Sequence, residues 1–321
     1  MNIIPIQEGE FITTILPVKD FSDGKYIVLA TKNGFVKKLN LSEFSNVMKS
    51  GKKAITFRTE DDILIGADVT DGNDDIIIVS AGGMVNRFNE KKSPLPSPFV
   101  LEKPINPADD EIIDDSEDEI AAEDQEAEDQ TSADTDADEG DADEGDADSP
   151  ELLRPMGRAA SGVKGIKLRN GDYVISVIVP KVELGGRILF ATENGFASLI
   201  QIARFTRRSG RTSQGIRSMK VDEKIGKVVG AQQVKLEDEV MLINDQGNII
   251  RTFVDQVRET ARNTKGVRII RLGNDSKLIA LERIAAEASD QKDQIADGGN
   301  DSLNSQSDEA GSQTGSGVEE Q

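Results

Sequence analysis

The 321-residue chain contains no cysteine, no histidine and no tryptophan, and only two tyrosines. Without cysteine there is no disulfide framework, which suits a reducing cytoplasm. Losing cysteine and histidine together removes the usual zinc ligands, and with histidine goes the usual general base. Aromatic residues make up 4% of the chain. They are too few to interleave with basic residues as stacking platforms for single strands. No stretch is long and apolar enough to span a membrane, and no signal peptide opens the chain, so no membrane partner is expected.

The formal net charge of -21 is unevenly spread. Residues 101–150 hold 23 acidic residues and one lysine, and residues 286–321 hold nine and one. Residues 1–100 sum to -1, whereas residues 151–285 sum to +10. Residues 107–150 and 287–321 carry too little apolar surface to offset the entropy of ordering, so both are expected to be disordered. What remains is enough for one ordinary core. The organisation read from this is 1–106, an acidic insertion at 107–150, 151–286, and an acidic tail at 287–321.

The remaining sequence repeats itself four times. Each copy has two apolar strands around a small turn: "YIVLATKNGFVKKLNL", "DIIIVSAGGMVNRFNE", "RILFATENGFASLIQI" and "EVMLINDQGNIIRTFV". Asn33-Gly34, Gly82-Gly83 and Asn194-Gly195 supply the positive φ that two-residue hairpins need, and Gln246-Gly247 stands in the fourth copy. A third segment follows the pattern Gly-x-x-x-apolar-x-apolar, starting at Gly51, Gly162, Gly215 and Gly266. A fourth apolar strand comes next, as in "LIGADV", "VISVIV", "VVGAQQV" and "LIALERI". The second copy is some sixty residues longer than the others, which makes the acidic segment a loop inside one repeat. β-Branched runs punctuated by glycine, with hardly any helical period, predict an all-β propeller-like array of about four four-stranded blades.

Basic residues recur at one place in the unit, the connection into the third strand. They are Lys49, Lys52 and Lys53 in copy one, and Arg154, Arg158, Lys164, Lys167 and Arg169 in copy two. Copy three has Arg204, Arg207, Arg208, Arg211, Arg217 and Lys220, and copy four has Arg258, Arg262, Lys265, Arg268 and Arg271. Blades placed side by side would align these loops into a basic stripe. A stripe of this kind suits a phosphate backbone, because affinity then comes from the number of neutralised phosphates and needs no base reading. Any one of these side chains reads as well as a solvated loop residue; four loops in register favour nucleic acid.

"ILPVKDFSDGKYIVLATKNGFVKKLNLSEFSN", "DILIGADVTDGNDDIIIVSAGGMVNRF", "RPMGRAASGVKGIKLRNGDYV" and "RNTKGVRIIRL" resemble the C-terminal domain of the bacterial DNA gyrase A protein. The similarity covers nearly all of residues 3–285 outside the insertion. It implies a β-pinwheel whose basic rim bends and wraps duplex DNA. It also implies two partners, the N-terminal domain of gyrase A and the gyrase B subunit, with ATP and magnesium used by other parts of the holoenzyme. The setting it implies is the bacterial cytoplasm, at the nucleoid. The chain's start resembles the family's third blade, so the breakage–reunion domain and the first-blade glutamine-arginine-glycine box have no counterpart here. Arg207-Arg208-Ser209-Gly210-Arg211 has a similar spacing without the flanking Gln and Gly, a degenerate echo of that box. The insertion reads either as a tolerated disordered loop or as a DNA mimic competing for the rim.

No catalytic residue is expected. Tyr26 and Tyr173 open strands and read as packing residues. "GRAASG" at 157–162 is followed by Val163 instead of the lysine a phosphate loop requires, and "DADEGDADEGD" does not match a calcium loop. No cofactor is expected in this chain. The DNA-binding candidates are Lys52, Lys53, Arg158, Lys164, Arg204, Arg207, Arg208, Arg211, Arg217, Arg262, Lys265 and Arg268. Two rival readings share the fold: a topoisomerase IV domain that guides DNA without stable wrapping, and a propeller that serves as a protein-interaction scaffold.

Overall fold

The computed structural model describes residues 9–18, 20, 21, 23–46, 48, 51–102, 150–273 and 276–286. The acidic insertion, except Pro150, and the tail at 287–321 lie outside the described residues, as does Lys49. Four antiparallel sheets make up the fold, three with four strands and one with three. The first blade combines β1 (Tyr26–Thr31), β2 (Phe35–Asn40), β3 (Leu64–Thr70) and β6 (Val163–Lys164). The second combines β4 (Asp75–Ser80), β5 (Met84–Asn89), β7 (Val174–Ile178) and β10 (Ile216–Arg217). In the third stand β8 (Arg187–Thr192), β9 (Phe196–Gln201), β11 (Val228–Val234) and β14 (Val267–Arg268). The fourth holds β12 (Glu239–Asn244), β13 (Ile249–Phe253) and β15 (Leu278–Ile284). In chain order β4 and β5 precede residues 103–149 and β7 follows them, so strands of the second blade stand on both sides of that segment.

The third segments of the second, third and fourth repeats do not join their own hairpins. Each crosses to the preceding blade and becomes that blade's outermost strand: β6 pairs β2, β10 pairs β5, and β14 pairs β9. A repeat pattern alone cannot reveal this exchange, since either neighbour could receive a segment with the same alternation. The hairpin turns also differ from the two-residue expectation. Gly34, Gly83, Gly195 and Gly247 donate their N–H to the carbonyls of Thr31, Ser80, Thr192 and Asn244 at 3.0–3.1 Å. Only the glycine of each turn has positive φ, between 78° and 85°. These are three-residue loops, a type I turn followed by a left-handed glycine.

The core lies between blades. β4 turns Ile76 and Ile78 toward Val28, Ala30 and Val36 of the first blade, and Ile77 and Val79 toward Ile188 and Phe190 of the third. A strand buried on both faces reads as an unbroken apolar run, which explains "DIIIVS". Leu189, Ala197 and Leu199 continue the core into Val240, Leu242 and Leu281 of the fourth blade. The inner strands β3, β7, β11 and β15, with Thr13, Thr14 and Leu16, line a central cavity of about 350 Å³.

Crossing segments pack tightly because their leading glycines have no Cβ. At Gly266, with φ of +68°, a Cβ would lie 2.2 Å from the Ala197 carbonyl oxygen. Gly266→Ala is expected to destabilise the domain by at least about 1–3 kcal/mol, from left-handed strain alone before the clash is counted. Urea unfolding of the variant checks this. Gly247→Ala is the control: it carries similar strain, but its Cβ would meet nothing within 4 Å.

Buried charge ties the blades together. Lys37 is fully buried, and its Nζ donates to the carbonyls of Ala54, Arg158 and Ala160 at 2.7–2.8 Å. Burial lowers its pKa. Lys38 of the first blade pairs with Glu90, beyond the end of β5, at 3.1 Å with both side chains at 0% exposure. Its Nζ also lies 4.4 Å from the centre of the Tyr26 ring, which gives that tyrosine a packing role. Arg87 grips Asp75 at 2.6 Å and reaches across to the Ile202 and Phe205 carbonyls of the third blade.

Candidate nucleic-acid interface

The strand exchange decides where the basic residues stand. The basic segments of the second, third and fourth repeats run along the outer edge of the preceding blade. Residues 154–164 follow β2, with Met156 donating its N–H to the Lys38 carbonyl and Lys164 opposite Phe35. Residues 206–217 follow β5, with Arg208 donating its N–H to the Arg87 carbonyl and Arg217 opposite Met84. Residues 258–268 follow β9, with Thr260 donating to the Leu199 carbonyl and Arg268 opposite Phe196. Three successive blades therefore present a basic outermost segment.

The predicted residues divide by what they touch. Lys164, Lys265 and Arg268 are exposed. Arg268 lies over the Phe196 ring at 4.7 Å, a stacking that holds the guanidinium on the surface. Lys265 pairs with Asp222 at 2.6 Å. This ammonium and the Ile225 amide hold the Asp222 carboxyl below its ordinary pKa. Arg158 is exposed and sits 3.4 Å from Glu43. Arg217 is half-buried at the end of its strand. Arg204, Arg208 and Arg262 are half-buried and engaged by neighbouring groups. Lys52 donates to the Glu43 carbonyl, and Lys53 is exposed. Both belong to the first repeat, whose third segment has no blade before it among the described residues.

Arg207 and Arg211, the two arms of the box-like motif, are turned toward the protein. Arg207 Nε lies 2.8 Å from the buried Asp75, and its Nη1 donates to the Leu95 carbonyl. Arg211 donates to the main-chain carbonyls of Leu152 and Lys164. Arg207→Gln is expected to cost about 1.5–3 kcal/mol, the usual worth of a hydrogen bond to a charged group. Lys164→Gln should leave stability within about 0.5 kcal/mol. Thermal melts of the two variants, side by side, test this division.

A further basic recess lies by the turn of the second blade, about 440 Å³, lined by Arg169, Arg217, Lys220 and Lys227 among others, with Asp172 in it. Asp172 anchors the turn itself, accepting from Ser80 Oγ and the Gly82 amide. Lys227, which the repeat pattern does not mark, precedes an inner strand and belongs to no basic run. Its ammonium lies 5.1 Å from the centre of the Tyr173 ring.

A family described as the DNA gyrase C-terminal domain, beta-propeller, matches residues 25–71, 151–181, 186–235 and 238–285. These blocks follow the repeats. The chain is 41% identical over 297 residues to the DNA gyrase A protein of Aeromonas salmonicida, covering 92% of this chain and 30% of that protein. It is 34% identical over 293 residues to the corresponding Escherichia coli protein, covering 91% and 26%. The chain thus spans about 30% or less of the length of these relatives. Among solved structures, a DNA gyrase A C-terminal domain superposes with a TM-score of 0.62 at 22% identity, covering 88% of this chain and 73% of that one. The C-terminal domain of DNA topoisomerase IV gives 0.64 at 20%, covering 89% and 69%. Those two likenesses speak for the fold. By the family match over its repeats, the chain belongs to the DNA gyrase C-terminal domain family.

Proposed function

We propose that this chain binds duplex DNA without sequence preference along the outer edges of its blades. It bends the duplex and serves as the non-catalytic, DNA-wrapping part of a gyrase A protein. One observation carries the reading: the outermost segment of three consecutive blades is the basic one, so Lys164, Arg217 and Arg268 recur at equivalent strand positions. Phosphates meeting such an array release counterions blade by blade, and the curvature of the array sets the bend. In the holoenzyme the partners are the N-terminal part of gyrase A and the gyrase B subunit. ATP and magnesium serve those parts, and this chain takes no cofactor. The setting is the bacterial cytoplasm, at the nucleoid.

Relaxed circular duplex, bound by the chain and treated with a relaxing topoisomerase, is expected to show a shift in linking number. Binding without a shift would replace wrapping by the guiding role of a topoisomerase IV domain. Absence of binding would leave the scaffold reading.

A further inference from the structure

We propose that Asn170 is a site of spontaneous modification, where the Gly171 amide nitrogen displaces the Asn170 side-chain amide and water leaves a carboxylate in its place. The chain holds three Asn-Gly pairs, at 33–34, 170–171 and 194–195. Glycine has no side chain to block approach to its own amide nitrogen. An Asn-Gly pair can therefore close a five-membered imide wherever both groups are free to meet. The fold holds two of these pairs shut and leaves the third open.

Asn33 and Asn194 stand in hairpin turns, where both reacting groups are engaged. Gly34 and Gly195 donate their N–H to the Thr31 and Thr192 carbonyls at 3.0 Å. Asn33 Nδ2 donates to Thr59 Oγ1 at 3.0 Å, and Asn194 Nδ2 donates to the Glu223 and Lys224 carbonyls at 3.0 and 3.1 Å. Crossing segments also cover both glycines. A Cβ on Gly34 would lie 3.0 Å from the Ile166 side chain, and one on Gly195 would lie 2.6 Å from the Ile270 carbonyl oxygen. Each hydrogen bond that must open first slows the attack by about fivefold.

Asn170 and Gly171 form the tip of a tight turn before β7, closed by the Asp172 N–H donating to the Arg169 carbonyl at 3.0 Å. The base of the turn is pinned, because Asp172 accepts from Ser80 Oγ at 2.6 Å and from the Gly82 amide at 2.8 Å. The tip is exposed. Among the described residues neither the Asn170 side chain nor the Gly171 N–H has a hydrogen-bond partner. Nothing lies within 4 Å of where a Gly171 Cβ would stand. The same tip lines the basic recess with Arg169, Arg217, Lys220 and Lys227. Cations there favour the steps that build negative charge, first on the deprotonating nitrogen and then on the side-chain oxygen.

In the first step the Gly171 nitrogen bonds to Asn170 Cγ and the Cγ–Nδ2 bond breaks. Solvent carries the Gly171 proton to the departing Nδ2, which leaves as ammonia. Water then opens the imide at either carbonyl, giving aspartate or an isoaspartyl linkage. One water is consumed and one ammonia released, and a neutral amide becomes a carboxylate beside the four cations of the recess.

The whole chain, incubated at mildly alkaline pH and mapped by peptide mass spectrometry, tests this. The peptide holding Asn170 is expected to gain the mass difference between an acid and an amide, as a mixture of aspartyl and isoaspartyl forms. It should do so about fivefold or more faster than the peptides holding Asn33 and Asn194. In concentrated urea the three should react at similar rates, which would assign the difference to the fold. Asn170→Gln, for which attack needs a six-membered ring, should stay unmodified at this position. Native rates alike at all three sites, or the same ranking kept in urea, would overturn the proposal. So would a product free of isoaspartate, since direct hydrolysis of the side chain gives aspartate alone.

Discussion

Replacing Lys38 with methionine is expected to lower stability by about 3–5 kcal/mol, because it strands the Glu90 carboxylate where water cannot reach it. The melting midpoint should fall by on the order of 10 °C for a domain of this size. Both members of the pair are at 0% exposure, and they link the first blade to the second. Glu90 also accepts from Thr70 Oγ and the Asp74 amide, so its site is organised around an anion. Burial nevertheless pushes the Glu90 pKa up, and removing Lys38 should push it further. The cost of Lys38→Met is therefore smallest below the unfolded glutamate pKa, about 4.3. It grows as pH rises through the raised native value. Adding Glu90→Leu should recover part of the loss, limited by the Thr70 hydroxyl and Asp74 amide that lose their acceptor. Denaturant titrations of both variants at acidic and neutral pH check the sign. Equal costs at the two pH values would show that Glu90 is not the group left uncompensated.

The second large effect concerns binding. Exchanging Lys164, Arg217, Lys265 and Arg268 together for glutamine removes charge from three outer edges, with Arg207 and Arg211 left in place. If each side chain meets one phosphate, the slope of log affinity against log salt should become shallower by about 3.6, at 0.9 per contact. Affinity should fall equally for duplexes of unrelated sequence. Removing Arg207 and Arg211 instead should change the melt first, since their guanidiniums hold Asp75 and main-chain carbonyls. An unchanged salt slope in the fourfold variant, with the melt intact, would move the DNA elsewhere on the surface.

The four hairpins and the inner strands are legible in the sequence because alternation, β-branching and glycine placement all agree there. Periodicity does not say which blade receives a strand, and so it places β6, β10 and β14 in the repeats that encode them. The turn glycines stand out in sequence, but the extra loop residue does not, because Asn-Gly suits both loop lengths. At the candidate site, the clustering of basic residues is visible in sequence but their direction is not. In "TRRSGR" nothing in composition says that Arg207 turns inward to the buried Asp75. Lys37, Lys38 and Arg87 escape a sequence reading for the opposite reason. They occupy strand positions whose polarity reads as a solvent-facing side, and only the packing of the next blade covers them.

Phosphate contacts along the outer edges are the central claim, and one titration reaches them most directly. Binding of the chain to two duplexes of equal length and unrelated sequence is measured from low to moderate salt. The predicted result is a steep, linear fall of log affinity with log salt, the same for both duplexes. Affinity that salt barely alters, or that differs strongly between the two sequences, would contradict it.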